Sequence, residues 1–445
     1  MVHTFRCLER NFVLDVESGS LFEVDDLTHK LIEQEISPGN FEGDFSCYNK
    51  EEIDEAKQEI EYLKSEKILF SPMPKYSKTS YKGIIKAMCL NISHGCNLNC
   101  TYCFAGAGKY NTAEAHMSFD VAKAAIDFLV EKSANRKFLE VDFFGGEPLL
   151  NIDVVKKTVE YARSLEDKVN KKFKFTITTN ALILNEELID FFNKEMYNVV
   201  ISIDGRKDVH NFVRKTSNGK DSFDPIMKNA LAFRKKRGDG QYYIRGTFTS
   251  RNLDFSNDVL ALNDCGFDQI SLEPVVLSED NALAIKKEHL DKLCEQYEIL
   301  AKEYIKRRKT DKWFNFFHFM IDIAGGPCQS KRLVGCGAGN DYICVAPNGG
   351  IYPCHQFDGK DDYLIGNVLD KTFDTRLPKV FTEANLTTKP DCIECWAKYY
   401  CSGGCSANSV NFCGDIKKPY TITCALMKKR VECAMAINAI EKENR

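Results

Sequence analysis

The 445-residue chain carries 19 cysteines, and their placement limits its fold more than any other feature. Four lie between positions 89 and 103, eleven between 328 and 433, and only Cys7, Cys47, Cys265 and Cys294 stand elsewhere. The N-terminus MVHTFRCLERNF has no continuous apolar stretch of a signal peptide, and no run is long and apolar enough for a transmembrane helix, so the expected compartment is the cytosol and no membrane partner is expected. Thiols stay reduced there, and two dense groups of them point to metal or redox centres rather than disulfides. A formal net charge of −4 supplies no broad basic surface, which argues against nucleic acid as a partner.

Three zones follow along the chain. Residues 1–75 read as a small α+β module: VLDV (13–16) and LFEV (21–24) are β-prone runs around the turn Glu17-Ser18-Gly19-Ser20, followed by helices near 26–34 and 51–66. In the second helix Ile53, Ala56, Ile60 and Leu63 form one apolar stripe. Residues 84–306 alternate strand and helix, with strands expected at 84–92, 138–143, 173–178, 198–203, 242–249 and 269–275 and helices such as 119–133 and 254–264 between them. Six such units predict a parallel, curved sheet with ligands at its carboxyl ends. Residues 307–445 are rich in Gly and Cys and poor in apolar runs, so bound metal is expected to supply much of their folding energy.

Directly after the first expected strand stands Cys96-Asn97-Leu98-Asn99-Cys100-Thr101-Tyr102-Cys103. Three thiols on one loop leave one iron of a [4Fe-4S] cube without a protein ligand, open to a small molecule. A structural zinc site would need a fourth ligand close by, for which His94 is the candidate. The next strand ends in Phe144-Gly145-Gly146-Glu147-Pro148, where glycines permit close backbone approach and a carboxylate can meet a cation. Thr178-Thr179-Asn180 and Ser202-Ile203-Asp204-Gly205 end the following two strands, either as ligand contacts or as structural caps. Arg214 and Arg245 are candidates for a bidentate carboxylate contact or for ordinary salt bridges.

This pattern resembles the radical S-adenosylmethionine (SAM) superfamily. The resemblance implies an α/β fold with a partial (β/α)6 barrel, the Cys96, Cys100 and Cys103 cluster, and SAM held by Gly145, Gly146, Glu147, Thr179, Asn180, Ser202, Asp204 and Arg214. Further on, Cys336-x12-Gly349-x4-Cys354, then Cys392-x2-Cys395-x5-Cys401-x3-Cys405, then Cys424, resembles a C-terminal SPASM domain. In that family two auxiliary [4Fe-4S] clusters would take Cys392, Cys395, Cys401 and Cys424 at the outer site and Cys336, Cys354 and Cys405 at the inner one. Cys328 is a further candidate for the inner site, which otherwise stays open for substrate; a zinc ribbon is the alternative use of the same thiols. Cys89, Cys344 and Cys433 are expected to be buried small hydrophobes. His355 either bonds a cluster sulfur or caps a turn, and the aromatic run Trp313 to Phe319 is expected in packing.

The wording Leu90-Asn91-Ile92-Ser93-His94-Gly95, Cys103-Phe104-Ala105-Gly106, Gly335-Cys336-Gly337-Ala338-Gly339 and Tyr352-Pro353-Cys354-His355-Gln356-Phe357 is similar to the SCIFF-type maturases of ranthipeptide biosynthesis. That likeness implies thioether crosslinking of a cysteine-rich precursor peptide through a 5′-deoxyadenosyl radical, with three [4Fe-4S] clusters, SAM and an external one-electron reductant such as flavodoxin or ferredoxin. It also implies that the N-terminal module is a winged-helix-like leader-peptide recognition element that takes the leader as an added strand. Another modification in the same superfamily, such as formylglycine formation in a sulfatase, is the enzymatic alternative. A cluster-bearing binding or electron-transfer module without turnover is the non-enzymatic one.

Overall fold

The computed structural model describes residues 1–76, 79–321, 323 and 333–443. The candidate ligand Cys328 lies outside the described residues.

The N-terminal module has one strand more than its sequence announces. Strands β1 (Val2–Cys7), β2 (Arg10–Asp15) and β3 (Leu21–Val24) form an antiparallel sheet in that order, covered by α1 (Asp26–Ile36) and α2 (Lys50–Ser65). The β1–β2 turn is Leu8-Glu9, both at positive φ (54° and 67°), a conformation in which Gly or Asn is the usual marker. Without those residues the turn gave no signal. Asn49 caps α2 with a capping box through Glu52, and Ile60 packs with Val13, Leu27 and Leu31.

The second zone forms as expected. Ala87–His94 (β4), Phe138–Gly145, Lys172–Thr179, Met196–Ser202, Gln241–Phe248 and Gln269–Pro274 pair parallel in chain order. All eight residues of β4 are buried, as suits a central strand covered on both faces. Its neighbour Phe138–Gly145 alternates: Leu139, Val141 and Phe143 are fully buried, while Asp142 and Phe144 take the opposite face. Connecting helices such as Phe119–Lys132, N-capped by Ser118, cover the outer face.

The C-terminal region extends this sheet. Tyr342–Val345 pairs parallel with β4, placing Cys344 opposite Cys89, and then antiparallel with Gly350–Tyr352. Cys89, Cys344 and Cys433 are buried among apolar side chains. The last helix, Thr421–Glu443, lies on Leu290–Arg307, with Lys429 paired to Glu298 at 2.5 Å and Arg430 Nε donating to the Tyr297 hydroxyl at 2.8 Å. Among the described residues no helix is long and apolar enough to cross a membrane.

Candidate active site and thiol cavities

The triad loop leaves β4 and is strapped down by a short antiparallel pairing in which Arg214 stands opposite Cys100 and Thr216 opposite Leu98. Close backbone packing explains the glycines behind it. A Cβ on Gly146 would lie 2.2 Å from the Gly95 carbonyl oxygen, and Gly145, at φ +123°, would place one 2.5 Å from that of Ser93. The two glycines thus let one strand end pass directly under the loop that carries Cys96.

A cavity of about 440 Å³ opens at the carboxyl ends of the strands. Its wall includes Cys96, Cys100, Cys103, Gly145, Gly146, Thr179, Asn180, Ser202 and Arg214, so most of the residues singled out from the sequence meet in one place. Asn180 Nδ2 donates to Asn97 Oδ1 at 2.7 Å, tying the third strand end to the triad loop.

Two of the expected contacts stand behind the wall instead. The Glu147 carboxylate is fully buried and accepts from Leu149 N–H (3.0 Å), the Thr179 hydroxyl (2.7 Å) and Asn180 N–H (2.8 Å). Burial still raises its carboxyl to about 7. Asp204, also fully buried, accepts from Arg214 Nε at 2.9 Å, the Tyr102 hydroxyl at 2.7 Å and Thr247 N–H at 2.9 Å. These carboxylates order the loops that form the cavity. The signal for this was their position, each two residues past its strand end at Gly145 and Ser202.

The wall also includes Arg245, the second arginine candidate, and residues the sequence reading did not assign to it: Phe144, Glu273, His355, Asn408 and Cys405, a thiol expected at the inner site. His355 stands between Phe144 (4.8 Å) and Phe104 (5.6 Å), and burial pushes its pKa down to about 4. Glu273 is held ionised, near 2, against burial by His318, Arg430 and Arg245 around it. Position at the end of the sixth strand was the available signal for Glu273.

The remaining thiols gather in two groups. Cys392, Cys395, Cys401 and Cys424 line one cavity of about 360 Å³. Cys336 and Cys405 lie close enough to Cys354 to raise its thiol further, after burial as the main cause. Burial likewise lifts Cys96 to about 12, Cys100 and Cys392 to about 11 and Cys424 to about 12, so each stays a neutral thiol at neutral pH unless a metal takes the proton's place. Among the described residues no three His, Cys, Asp or Glu side chains converge as the ligands of a single ion would. Four thiols around one cavity, with Asp391 the one carboxylate in its lining, fit the donor set of a multinuclear iron–sulfur group.

Residues 90–249 match the family model of the radical SAM superfamily. Over that stretch the chain is similar to the radical SAM superfamily, and maturases stand among its curated relatives and structural neighbours. The Cysteine-type anaerobic sulfatase-maturating enzyme of Clostridium novyi (strain NT) is 27% identical over 336 residues, which cover 71% of this chain and 86% of that one. In fold, native anSMEcpe with bound AdoMet and Cp18Cys peptide superposes with a TM-score of 0.66 at 21% identity, covering 81% of this chain and 99% of that one. Streptococcus suis SuiB bound to its precursor peptide SuiA gives 0.52 at 18% identity, over 92% and 95%.

Proposed function

We propose that the protein is a radical SAM peptide maturase that installs thioether crosslinks in a ribosomally made, cysteine-rich precursor peptide. The observation that carries this reading is the shared cavity: Cys405 of the inner thiol group lines the same space as the triad Cys96, Cys100 and Cys103. A substrate carbon and a substrate sulfur would then both be within one enclosure. The triad would hold the SAM-binding cluster, Cys336, Cys354 and Cys405 the inner auxiliary cluster, and Cys392, Cys395, Cys401 and Cys424 the outer one.

Bound there, SAM and the clusters would supply the electron and the carbon radical that hydrogen abstraction requires, with a flavodoxin- or ferredoxin-type protein as external reductant. The chain's own residues do the rest. Gly145, Gly146, Thr179, Asn180 and Ser202 shape the seat for SAM, Arg214 is the candidate partner of its carboxylate, and Phe104, Phe144 and His355 narrow the space between the two thiol groups. In the overall reaction a C–H and an S–H bond break and a C–S bond forms; one hydrogen atom leaves to the radical, the thiol proton leaves to solvent, and the surplus electron would pass to the inner auxiliary cluster as acceptor. The N-terminal module would take the leader along the free edge of β3.

Mass spectrometry of an anaerobic reaction with a cysteine-rich peptide encoded beside the gene tests this. The expected product has lost two hydrogens per ring and one alkylatable thiol per ring, with 5′-deoxyadenosine formed. The likeness to the sulfatase-maturating enzyme favours one rival, formylglycine formation. A product aldehyde with no macrocycle would establish that rival and sink the thioether reading.

A further inference from the structure

Between the triad loop and the Cys354 loop lies a buried polar bridge that the chemistry above leaves unused. Asp358, four residues beyond Cys354, is 3% exposed. Its Oδ2 accepts from Asn91 Nδ2 at 2.5 Å and meets His94 Nε2 at 2.8 Å, although 264 residues separate it from that histidine. Asn91 and His94 belong to β4, whose end leads straight into Cys96. The other histidine nitrogen, Nδ1, meets the Thr112 hydroxyl at 2.8 Å, and the ring of Tyr110 stacks on the imidazole at 4.8 Å. Gly359, at φ +75°, completes the junction: a Cβ there would stand 1.9 Å from the Tyr110 carbonyl oxygen.

Three segments therefore meet at one carboxylate: the end of β4, the loop 104–112 that follows Cys103, and the segment that follows Cys354. Only Oδ2 of this carboxylate is partnered among the described residues, and Oδ1 is buried without a hydrogen bond, so the group adds little net stability and specifying one arrangement is the use left to it. We propose that Asp358 is a positioning residue that sets the spacing between the triad site and the inner auxiliary site. This rests on the reading of those thiols as cluster ligands. The joint itself is a property of the folded chain, and the spacing it sets fixes how far a radical formed at one site stands from a sulfur held at the other.

The test uses the full-length protein, purified and reconstituted with iron and sulfide under anaerobic conditions. In Asp358→Ala, hydrogen exchange of residues 104–112 should quicken roughly tenfold while the helix Phe119–Lys132 keeps its protection. Iron content should match wild type, and the magnetic relaxation that one cluster induces in the other should weaken. Asp358→Asn keeps, in its amide oxygen, the single acceptor that Asn91 and His94 share, and should restore both readouts. Thr112→Val, an exposed and isosteric change, should give the same loosening to a smaller extent and serves if the alanine variant fails to fold. Wild-type exchange and wild-type relaxation in Asp358→Ala would overturn the proposal, as would loss of iron from the variant, which would make Asp358 an assembly residue. The exchange readout needs no peptide and no turnover, so failure to find a thioether would remove the proposed reaction and leave this inference to its own result.

Discussion

The barrel site and the outer cavity both present groups of thiols, yet different forces hold the segments that carry them. The triad loop rests on β4, which is buried along its whole length, and is strapped by the Arg214–Thr216 pairing and backed by the Glu147 and Asp204 networks. Around the outer cavity Cys392, Cys395 and Cys401 stand on or between short elements, Pro390–Ile393 and Lys398–Cys401 with four residues each, and Cys424 alone stands on a long one, the helix Thr421–Glu443. Besides Cys392 and Tyr399, which join the main core, a buried ion pair ties the short elements to the N-terminal module. Lys398 Nζ meets Glu17 Oε1 at 2.6 Å with both side chains at most 1% exposed, and the Tyr399 hydroxyl donates to Glu17 Oε2 at 2.7 Å. The barrel cradle is thus built by packing before any metal arrives. In the outer cavity the packed helix Thr421–Glu443 supplies one wall, while the 390–401 wall leans on a buried charge pair and, under the proposed reading, on the metal it encloses.

The largest expected effect breaks the comparison on the barrel side. Replacing Cys96, Cys100 and Cys103 together with Ala should abolish 5′-deoxyadenosine formation and remove about four iron atoms per chain. Because apolar packing and hydrogen bonds hold the loop, the thermal transition of the metal-free protein should barely move. Unchanged SAM cleavage would end the assignment of the triad, and a collapse of the metal-free fold would end the contrast drawn above.

On the other side, Lys398→Met should leave Glu17 buried and uncompensated, at a cost of about 3–5 kcal/mol. Chemical denaturation of the metal-free protein would read this as a lower midpoint, and Glu17→Leu combined with Lys398→Met should recover most of it. A single variant as stable as wild type would show that the pair is not the anchor of this region.

Much of this contrast could be read from the sequence, for identifiable reasons. The six parallel strands were visible because each is a β-prone run set off by an amphipathic helix, and their bounds differ from expectation by three residues or fewer at most ends. The thiol groups were visible because metal ligands are counted in intervals along the chain. The Leu8-Glu9 turn was hidden because its residues do not mark a left-handed turn, and β1 was missed with it. Glu17 with Lys398 and His94 with Asp358 were hidden for another reason: 381 and 264 residues lie between the partners, and no periodicity links them. The addition of Tyr342–Val345 to the barrel sheet is likewise a tertiary event.

Glu147 sharpens the comparison with a pH dependence. Its ordinary carboxyl value of 4.5 is raised to about 7 in the folded chain, chiefly by burial. The native state therefore keeps a proton that the unfolded state has released between those two values. Its contribution is fully present below pH 4.5 and is lost as pH rises through 7, by up to about 3 kcal/mol. Glu147→Gln should flatten that part of the stability profile of the metal-free protein. Equal slopes in wild type and variant would mean that the three donors around the carboxylate outweigh its burial.

The smallest effect concerns the N-terminal module, which the outer cavity holds through Glu17. Asp15 N–H donates to the Ser20 carbonyl at 2.9 Å, and antiparallel pairs alternate, so Phe22 and Val24 bond inward to β2 while the N–H groups of Leu21 and Glu23 face the free edge of β3. A leader peptide added as a strand would use those two groups. Proline at an outward-facing position removes one of them without breaking the β2–β3 ladder. Glu23→Pro should therefore weaken binding of a labelled leader to the full-length protein by roughly tenfold, about 1.4 kcal/mol, while SAM cleavage without peptide is preserved. Glu23→Ala, which also loses the Arg10 contact at 3.0 Å but keeps the N–H, is the control and should bind as wild type does. Equal weakening in both variants would assign the effect to the Glu23 side chain and remove strand addition at this edge as the mode of recognition.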